Sequence, residues 1–457
     1  MKLVACRQFR KVVAVAAGLI LVLARSYGAT SDSVAVNWLD GASPAAPQSV
    51  SWGVPWPKGK LQTTDSISAR TNDGKAVPIQ TWTMATWPDG SIKWSGHAMV
   101  AEADTRGPIE LAIGTSEPVP DPVRVVETVD GITIDTGGLS CRIRRSGTFL
   151  FEALSMGERV VARDARLIAS LENREEFEAA GVLRYEPFTS RVRSAVVEQS
   201  GPVRAVVRLE GVHASTTGTR EFLPFTVRLY FHRGKAPMRI VHSFVFDGDG
   251  ARDFIKGLGV AFTIPFAEEV HNRHLRLGGE DDGLWAQPVQ MLPGYRPQAG
   301  REIAALYEAH LAGRRVPNRT SLTPQAAAAL QTVPLWSDAK LTQLGANNFT
   351  ISKRTDAASA SWLHVTDGRR AHGFALLGDV SGGIAVGLKH FWQKHPASIE
   401  LLGGARRAGE MRVWLWSPDA PAMDLRRYDD KPHGLSINYE DWKPGWGEAY
   451  GIANTAD

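Results

Sequence analysis

The chain contains almost no cysteine, with two in 457 residues, Cys6 and Cys141. Cys6 lies in a leader-like segment, so processing there would leave Cys141 alone and exclude an intramolecular disulfide. Cys141 alternates with Leu139 and Ile143 along a predicted strand, which indicates a small core residue rather than a reactive thiol. Stability is therefore expected to come from packed cores.

Long apolar runs are also scarce. Residues 12–24 form an uninterrupted apolar run after several basic residues, and no later run reaches membrane-spanning length. A run of this size is too short for an anchor and is typical of a secretory signal peptide, which we place at residues 1–29. The sequence thus predicts a secreted or periplasmic protein that leaves the membrane after cleavage. The oligomeric state is left open.

No strong excess of one charge is present. The formal net charge is +4, and the leader supplies five basic residues and no acidic one, so the mature chain is close to neutral. A nucleic-acid partner therefore lacks electrostatic support. The chain also lacks a G-x-S-x-G elbow, a P-loop and a C-x-x-C pair, which leaves serine-hydrolase, nucleotide-hydrolysis and redox functions without a local signature.

What the chain does contain is a long series of alternating segments, which predicts a mainly β protein. Short runs broken by Gly, Pro and Asp indicate a small β-barrel at residues 30–122. The Pro-rich stretch 117–122 ends that unit. Longer alternating runs over 123–424 indicate a large antiparallel sandwich, and residues 425–457 are predicted to start a further region.

Helical patterns occur in only two places in the sandwich region. Residues 300–312 show apolar spacing near 3.6, and residues 321–330 open as Ser-Leu-Thr-Pro before an alanine run, which is typical of a helix amino terminus. We therefore expect few, short helices inserted in a β framework.

A tryptophan-rich hairpin spans residues 74–97. A Pro-Asp-Gly turn after Trp87 joins two alternating runs that carry further indoles. Because an indole offers a flat apolar face and an N–H donor, Trp87, Lys93 and His97 are candidates for sugar binding. The alternative is that these tryptophans fill a core, as large aromatics most often do.

A second candidate is the basic and aromatic segment 389–396, which follows a glycine-rich run. Lys389, His390 and Trp392 provide an ammonium group, a titratable imidazole and an indole. Histidine can act as a general base near neutral pH, and a cation can neutralise a carboxylate, so this pattern favours an anionic sugar. The alternative is a solvated basic loop at the end of a strand.

Two patterns resemble metal sites without completing one. The acidic turn 247–253 lacks the glycine and the final glutamate of a calcium loop, which favours a polar turn. His271 and His274 have a His-x-x-His spacing with no evident third ligand for zinc. No metal site and no cofactor are predicted, and a divalent cation such as calcium is left open.

Several segments together resemble the YetA-like and exo-rhamnogalacturonan lyase family. The most specific is Trp-Pro-Asp-Gly-Ser-x-Lys-Trp at residues 87–94, and weaker similarities occur in the same order at 52–59, 77–82, 253–259, 390–393 and 450–455. The resemblance implies a RIFT-type barrel, a central β-sandwich and a carboxy-terminal α/α toroid. The toroid would follow residue 455, so the chain is expected to be a truncated member.

The resemblance also implies a reaction, β-elimination at galacturonic acid of an acidic pectic polysaccharide. In that reaction His390 would be the base or acid, Lys389 would neutralise the carboxylate and Trp392 would stack on the sugar. Tyr439 is a second candidate for proton transfer. None of these roles follows from spacing alone.

Two other function classes remain open at this point. One is a noncatalytic carbohydrate-binding or scaffold module without the toroid. The other, a β-sandwich glycoside hydrolase, needs two carboxylates at catalytic separation, for which Glu221, Asp253 and Glu440 are available. Unsaturated products would distinguish elimination from hydrolysis.

Overall fold

The structure is a computed structural model that describes residues 33–457 except 40, 104, 174–182, 235–236, 251, 294–299 and 426–448. The predicted signal peptide, Tyr439 and Glu440 lie outside the described residues. In the part that is described, strands dominate and only two α-helices occur, as the alternating sequence predicts.

The first domain is the predicted small barrel, built from two three-stranded antiparallel sheets. Their strand orders are β1-β6-β3 and β2-β5-β4. The strands are β1 (Ser33–Val36), β2 (Gln48–Pro55), β3 (Ile67–Thr71), β4 (Gln80–Thr86), β5 (Ile92–Ala101) and β6 (Ile109–Ile113). Alternate side chains of both sheets meet in one core that includes Val54, Trp56, Ile67, Met99 and Leu111, because successive side chains of a strand point to opposite faces.

The second domain is a large antiparallel sandwich, also as predicted. Its first strands are β7 (Arg124–Glu127), β8 (Gly131–Asp135), β9 (Ser140–Arg144), β10 (Phe151–Met156), β11 (Arg159–Asn173), β12 (Arg184–Ser200), β13 (Arg204–Ser215), β14 (Glu221–His232), β15 (Arg239–Val245) and β16 (Asp253–Pro265). Its later strands are β17 (Arg273–Gly278), β18 (Leu284–Pro288), β19 (Trp336–Gly345), β20 (Asn348–Thr355), β21 (Leu363–Gly368), β22 (Phe374–Asp379), β23 (Gly382–Gly387), β24 (Ala397–Leu402), β25 (Ala408–Trp416) and β26 (Ala453–Ala456).

Most sandwich strands belong to one sheet in the order β21-β20-β19-β24-β25-β16-β11-β12-β13-β14-β15-β26, with β10, β9, β8 and β7 branching from β11. A four-stranded sheet, β18-β17-β22-β23, packs against it. Both contribute to one core, in which Cys141 is fully buried; among the described residues it has no disulfide partner. Burial raises the pKa of the Cys141 thiol, so this side chain serves packing alone.

The two helices are α1 (Gly300–Leu311) and α2 (Pro324–Gln331). Thr323 caps α2, its side-chain oxygen accepting from the backbone N–H of Ala326, and Pro324 follows in the first turn. This is the amino-terminal signature that the sequence shows. The helices share a small apolar cluster of their own. In the described part of the chain, neither is long and apolar enough to cross a membrane.

Residues at the end of the chain complete the main sheet. Strand β26 pairs antiparallel with β15, with His242 opposite Ala456 and Val245 opposite Ala453. The segment 425–457, predicted as the start of a further region, therefore supplies a strand to the sandwich. Its residues 426–448 are not described.

The barrel is joined to the sandwich through Gln80. Its Oε1 accepts hydrogen bonds from the backbone N–H groups of Val203, at 3.1 Å, and Arg204, at 2.7 Å. The guanidinium of Arg204 lies 4.1 Å from the centre of the Trp82 ring and donates to Ser51 Oγ at 3.0 Å. Trp82 of the tryptophan-rich hairpin thus connects the two domains.

Substitution Gln80→Leu is expected to lower the free energy of unfolding by roughly 3 kcal/mol, because it leaves two buried backbone donors without an acceptor. Guanidinium titration followed by circular dichroism measures this. Gln62→Leu is the control, because Gln62 is exposed on the same barrel and should change stability by under about 0.5 kcal/mol. Equal effects of the two substitutions would contradict the role assigned to Gln80.

Candidate functional site

The basic segment forms a loop between β23 and β24. Leu388 and Phe391 are buried and anchor it, whereas Lys389, His390 and the side chains of Lys394 and His395 are exposed. Phe391 packs closely against Gly373: a Cβ added to this glycine would lie 2.4 Å from Phe391 Cβ, so only glycine leaves room for the phenylalanine. The fold therefore presents the basic side chains on a fixed loop, which we call the 389–395 loop.

The loop backbone is held by β26. The N–H of Lys389 donates to the carbonyl of Asp457 at 2.9 Å, and Lys394 Nζ donates to the carbonyl of Thr455. His390 has a φ of +60°, and its carbonyl accepts from the N–H of Lys394 at 2.8 Å. Histidine is one of the few residue types enriched in that left-handed conformation. These bonds set the direction in which the imidazole leaves the loop.

Trp392 is half-buried beside the loop. The Arg370 guanidinium lies 4.3 Å from the centre of its ring, and Arg370 Nε donates to Asn347 Oδ1 at 2.9 Å. The Trp392 carbonyl is 3.1 Å from His395 Nδ1. Because a cation covers one face of the indole, a sugar would stack on the other face or displace Arg370.

The charge of the 389–395 loop surface comes from basic side chains that have few partners. Among the described residues, neither the Lys389 ammonium nor the His390 imidazole has a hydrogen-bond or ion-pair partner. The neighbouring carboxylate of Asp457 is already paired, accepting from Arg239 Nε at 2.7 Å and Nη2 at 2.6 Å. That bidentate pair raises the pKa of Arg239. Lys389 and His390 are thus free to meet an anion.

A cavity of about 490 Å³ lies behind the loop, inside the sandwich. Leu388 and Asp457 form part of its wall, and most of its lining is aliphatic or aromatic, with Phe151, Ile240 and Val413 as examples. Arg239, the one cation among the described residues that line it, is already paired with Asp457, so a carboxylate placed there would lose its hydration without a free compensating charge. An anionic sugar is therefore better accommodated across the exposed loop than inside this cavity.

The other predicted binding residues lie in the barrel. Lys93 is exposed, and its Nζ lies 4.7 Å from the centre of the Trp87 ring. The Trp87 indole N–H donates to the carbonyl of Trp56 at 3.0 Å. Trp87 and Lys93 therefore lie together at the turn of the hairpin, on a different domain from the 389–395 loop. The structure does not bring the two predicted groups into one site.

The sequence-based expectation for His97 is wrong. Its side chain is fully buried, with Nε2 2.7 Å from Ser95 Oγ and Nδ1 3.0 Å from Thr81 Oγ1. Its ring stacks on Trp52 with 5.5 Å between centres, and burial lowers its pKa to about 4. An imidazole enclosed in this way cannot touch a sugar, so His97 has a structural role. Trp94, by contrast, is 40% exposed and is not a core residue.

The carboxylates considered for hydrolysis are held by arginines. Glu221 forms ion pairs with Arg191 and Arg193, and Asp253 accepts from Arg220 Nη2 at 2.7 Å. Both carboxylates are therefore already engaged by guanidinium groups of the protein. Glu440 lies outside the described residues. The glycoside-hydrolase alternative gains no support from Glu221 and Asp253.

The incomplete metal patterns have structural roles. Asp247 Oδ1 accepts from the N–H of Leu223 at 2.7 Å, as a polar turn would. His271 Nε2 lies 3.0 Å from the carbonyl of Pro317, and His274 is buried. The described residues hold no group of three metal-ligating side chains.

Sequence reasoning missed Arg239 and Arg370. Arg239 meets its partner Asp457 across 218 positions of the chain, and Arg370 reaches Trp392 from a separate loop. No local spacing signals such pairs.

Fold and site together define a two-domain β protein whose sandwich presents a basic, aromatic loop. The chain belongs to the PcRGLX-like family: the model of the PcRGLX-like N-terminal RIFT barrel domain matches residues 32–113, and that of the PcRGLX-like protein central beta sandwich domain matches residues 123–457. The family resemblance drawn from the tryptophan-rich and later segments is thereby confirmed.

A curated relative gives the same assignment. The chain is 35% identical over 423 residues to "Uncharacterized protein YetA" of Bacillus subtilis (strain 168). The aligned region makes up 92% of this chain and 48% of the relative. The chain therefore spans about half the length of that relative. These similarities support a rhamnogalacturonan lyase-like family.

Proposed function

We propose that the protein binds an acidic pectic polysaccharide and cleaves it by β-elimination at galacturonic acid, as a rhamnogalacturonan-type lyase. The observation that carries the proposal is the 389–395 loop of this family member, where an ammonium and an imidazole with no partner among the described residues stand beside an indole. We further propose that residues 1–29 direct export, so that the protein meets its substrate outside the cytoplasm.

The proposed step assigns one task to each side chain. Lys389 pairs with the C6 carboxylate of the galacturonic acid and so stabilises the negative charge that develops when the C5 proton leaves. Neutral His390 accepts that proton. The electron pair of the C5–H bond forms the C4–C5 double bond, and the C4–O bond breaks. The leaving oxygen then takes a proton from the imidazolium of His390 or from Tyr439.

Binding would use the aromatic residues. The face of Trp392 that Arg370 does not cover would stack on a sugar ring next to the cleaved bond. Trp87 and Lys93, at the turn of the barrel hairpin, would contact a more distant part of the same polymer. No metal or cofactor is needed for these contacts.

The purified chain, incubated with rhamnogalacturonan, tests the proposal. We expect ultraviolet absorbance to rise as the C4–C5 double bond forms. We also expect Lys389→Met to weaken binding of galacturonate oligomers by about fivefold, since it removes one contact charge that is screened by salt. Lys75→Met is the control, because Lys75 is exposed on the barrel and precedes β4, whereas Trp87 and Lys93 follow that strand. A parallel reaction with chelator tests for a divalent cation.

A second candidate is a noncatalytic carbohydrate-binding module. It is favoured by one observation, that Trp87 and the exposed Lys93 offer an indole and a cation on the barrel, apart from the 389–395 loop. Binding with Lys389 dependence but without absorbance change would support this candidate. Shortened sugars without a double bond would instead support hydrolysis.

A further inference from the structure

The barrel contains a second cavity, separate from the one in the sandwich. It has a volume of about 370 Å³ and lies between the end of β1, the start of β2 and residues 37–39, 42 and 44. Trp38 and Trp52 form its aromatic wall, and Asn37, Gln48 and Ser51 contribute polar atoms. None of the described residues that line it is charged. The cavity thus differs in chemistry from both the apolar sandwich cavity and the basic 389–395 loop.

The two indoles differ in their hydrogen bonding. Trp38 Nε1 donates to the carbonyl of Gly107 at 2.8 Å. Trp52 Nε1 is buried and has no acceptor among the described residues. Because that atom is enclosed by protein, the Trp52 indole offers the cavity its apolar ring rather than its N–H donor.

The position of the Trp52 ring is fixed by His97, which packs against it. Its ring stacks on His97, whose two nitrogens are engaged by Ser95 and Thr81. Burial keeps the pKa of His97 low, at about 4, so the ring behind Trp52 is uncharged at neutral pH. The residue that sequence reasoning placed in contact with sugar therefore holds the indole that lines this cavity.

We propose that the barrel cavity binds one neutral sugar residue, a hexose or 6-deoxyhexose, of the polysaccharide. The apolar face of the sugar would lie on an indole, and its hydroxyls would bond with Asn37 and Gln48. The volume lies within the range of small-molecule pockets and suits a single ring. A uronic acid is disfavoured, because none of the described residues that line the cavity carries a positive charge to neutralise its carboxylate. This inference rests on the proposed action on a polysaccharide.

Ligand-observed NMR titration of the full chain with rhamnose, galactose and galacturonate, each as a free monosaccharide, tests the inference. We expect the neutral sugars to bind with dissociation constants in the millimolar range. Trp38→Leu should weaken this binding about tenfold, which corresponds to about 1.4 kcal/mol of binding free energy. Gln48→Leu, at an exposed position, should weaken them about threefold without threatening the fold. Trp94→Leu is the control, because this indole is exposed on the barrel outside the cavity.

Equal binding of the neutral sugars by the parent chain, Trp38→Leu and Gln48→Leu would overturn the inference, as would stronger binding of galacturonate that depends on Trp38. Circular dichroism shows whether each variant is folded. The readouts separate the two proposals. Neutral-sugar binding without any unsaturated product would contradict the lyase proposal and support this site. Unsaturated product, together with cavity variants that bind neutral sugars normally, would support the lyase proposal and contradict this site.

Discussion

Acidification from about pH 7.5 to about pH 5 is expected to lower the thermal unfolding midpoint by about 10–20 °C. The cause is a set of buried histidines whose pKa is lowered by loss of hydration. The pKa falls to about 4 for His97, His213, His232 and His274, and to about 3 for His242. Each is neutral in the folded chain throughout this range.

The direction of the effect follows from proton binding. Above a pH of about 6.5, the ordinary histidine value, folded and unfolded chains both hold these rings neutral, and stability is complete. Below it the unfolded chain takes up protons that the folded chain does not, so stability falls until the pH reaches the folded values. In this range each ring lowers the free energy of unfolding by about 1.4 kcal/mol per pH unit. The sum over several rings is comparable to the whole free energy of unfolding of a domain.

Carboxylates would not produce the same transition. Hydrogen bonds from Ser381 and from the N–H of Ala267 outweigh the opposing effect of burial and hold the pKa of Asp379 below its usual range of about 3.8. The stability that Asp379 provides is therefore present above that value and is lost only as the pH falls further. A loss of stability that begins near pH 6 identifies histidine as the cause.

A single substitution checks the assignment. His242 is buried, and its Nε2 has no partner among the described residues, so His242→Phe should fold and reduce the slope of stability against pH by about one proton. His364→Gln is the control, since His364 is exposed on β21. Urea titrations at several pH values measure both slopes. A slope left unchanged by His242→Phe would mean that His242 takes up its proton before unfolding.

Substitution His390→Asn is expected to lower the turnover of rhamnogalacturonan by about 10²- to 10³-fold, because it removes the proposed base. Asparagine tolerates the left-handed backbone that His390 adopts, so the loop should keep its shape. The expected signature is a fall in kcat with KM little changed, since Lys389 and Trp392 still bind the sugar. The limb of the pH–rate profile that reports the base should disappear as well.

The control for this experiment is His364→Asn, an exposed histidine on the same domain. Both variants are measured with initial rates of double-bond formation across a range of pH. Turnover of His390→Asn at the level of the parent chain would remove His390 from the mechanism and leave Tyr439 as the candidate base.

The sequence predicts the architecture well, since the information is local. Alternation defines the strands, and Thr323 and Pro324 mark the start of α2 where the structure has it. The site is less predictable. The loop at Lys389 and His390 is visible as a cluster of residue types, but its attachment to β26 depends on pairings between residues far apart in the chain.

The error at His97 has a specific cause. Strict alternation places Lys93, Ser95 and His97 on one face of β5. In the structure the pairing of β5 with β4 shifts register between Thr83 and Thr86, opposite Trp94. Lys93 and Trp94 are consequently both exposed, while Ser95 and His97 turn inward. A bulge of this kind changes which face is buried without leaving a clear mark in the sequence.

The short strand β26 also bears on the colloidal behaviour of the protein. Its four residues cover the edge of β15, whose backbone N–H and C=O groups would otherwise be open to pairing with a second molecule. Being short, and fastened by the Arg239–Asp457 pair, β26 makes a poor template for further strand addition. The residues at the end of the chain that hold the 389–395 loop thus also disfavour edge-to-edge association of the sheet with a second molecule.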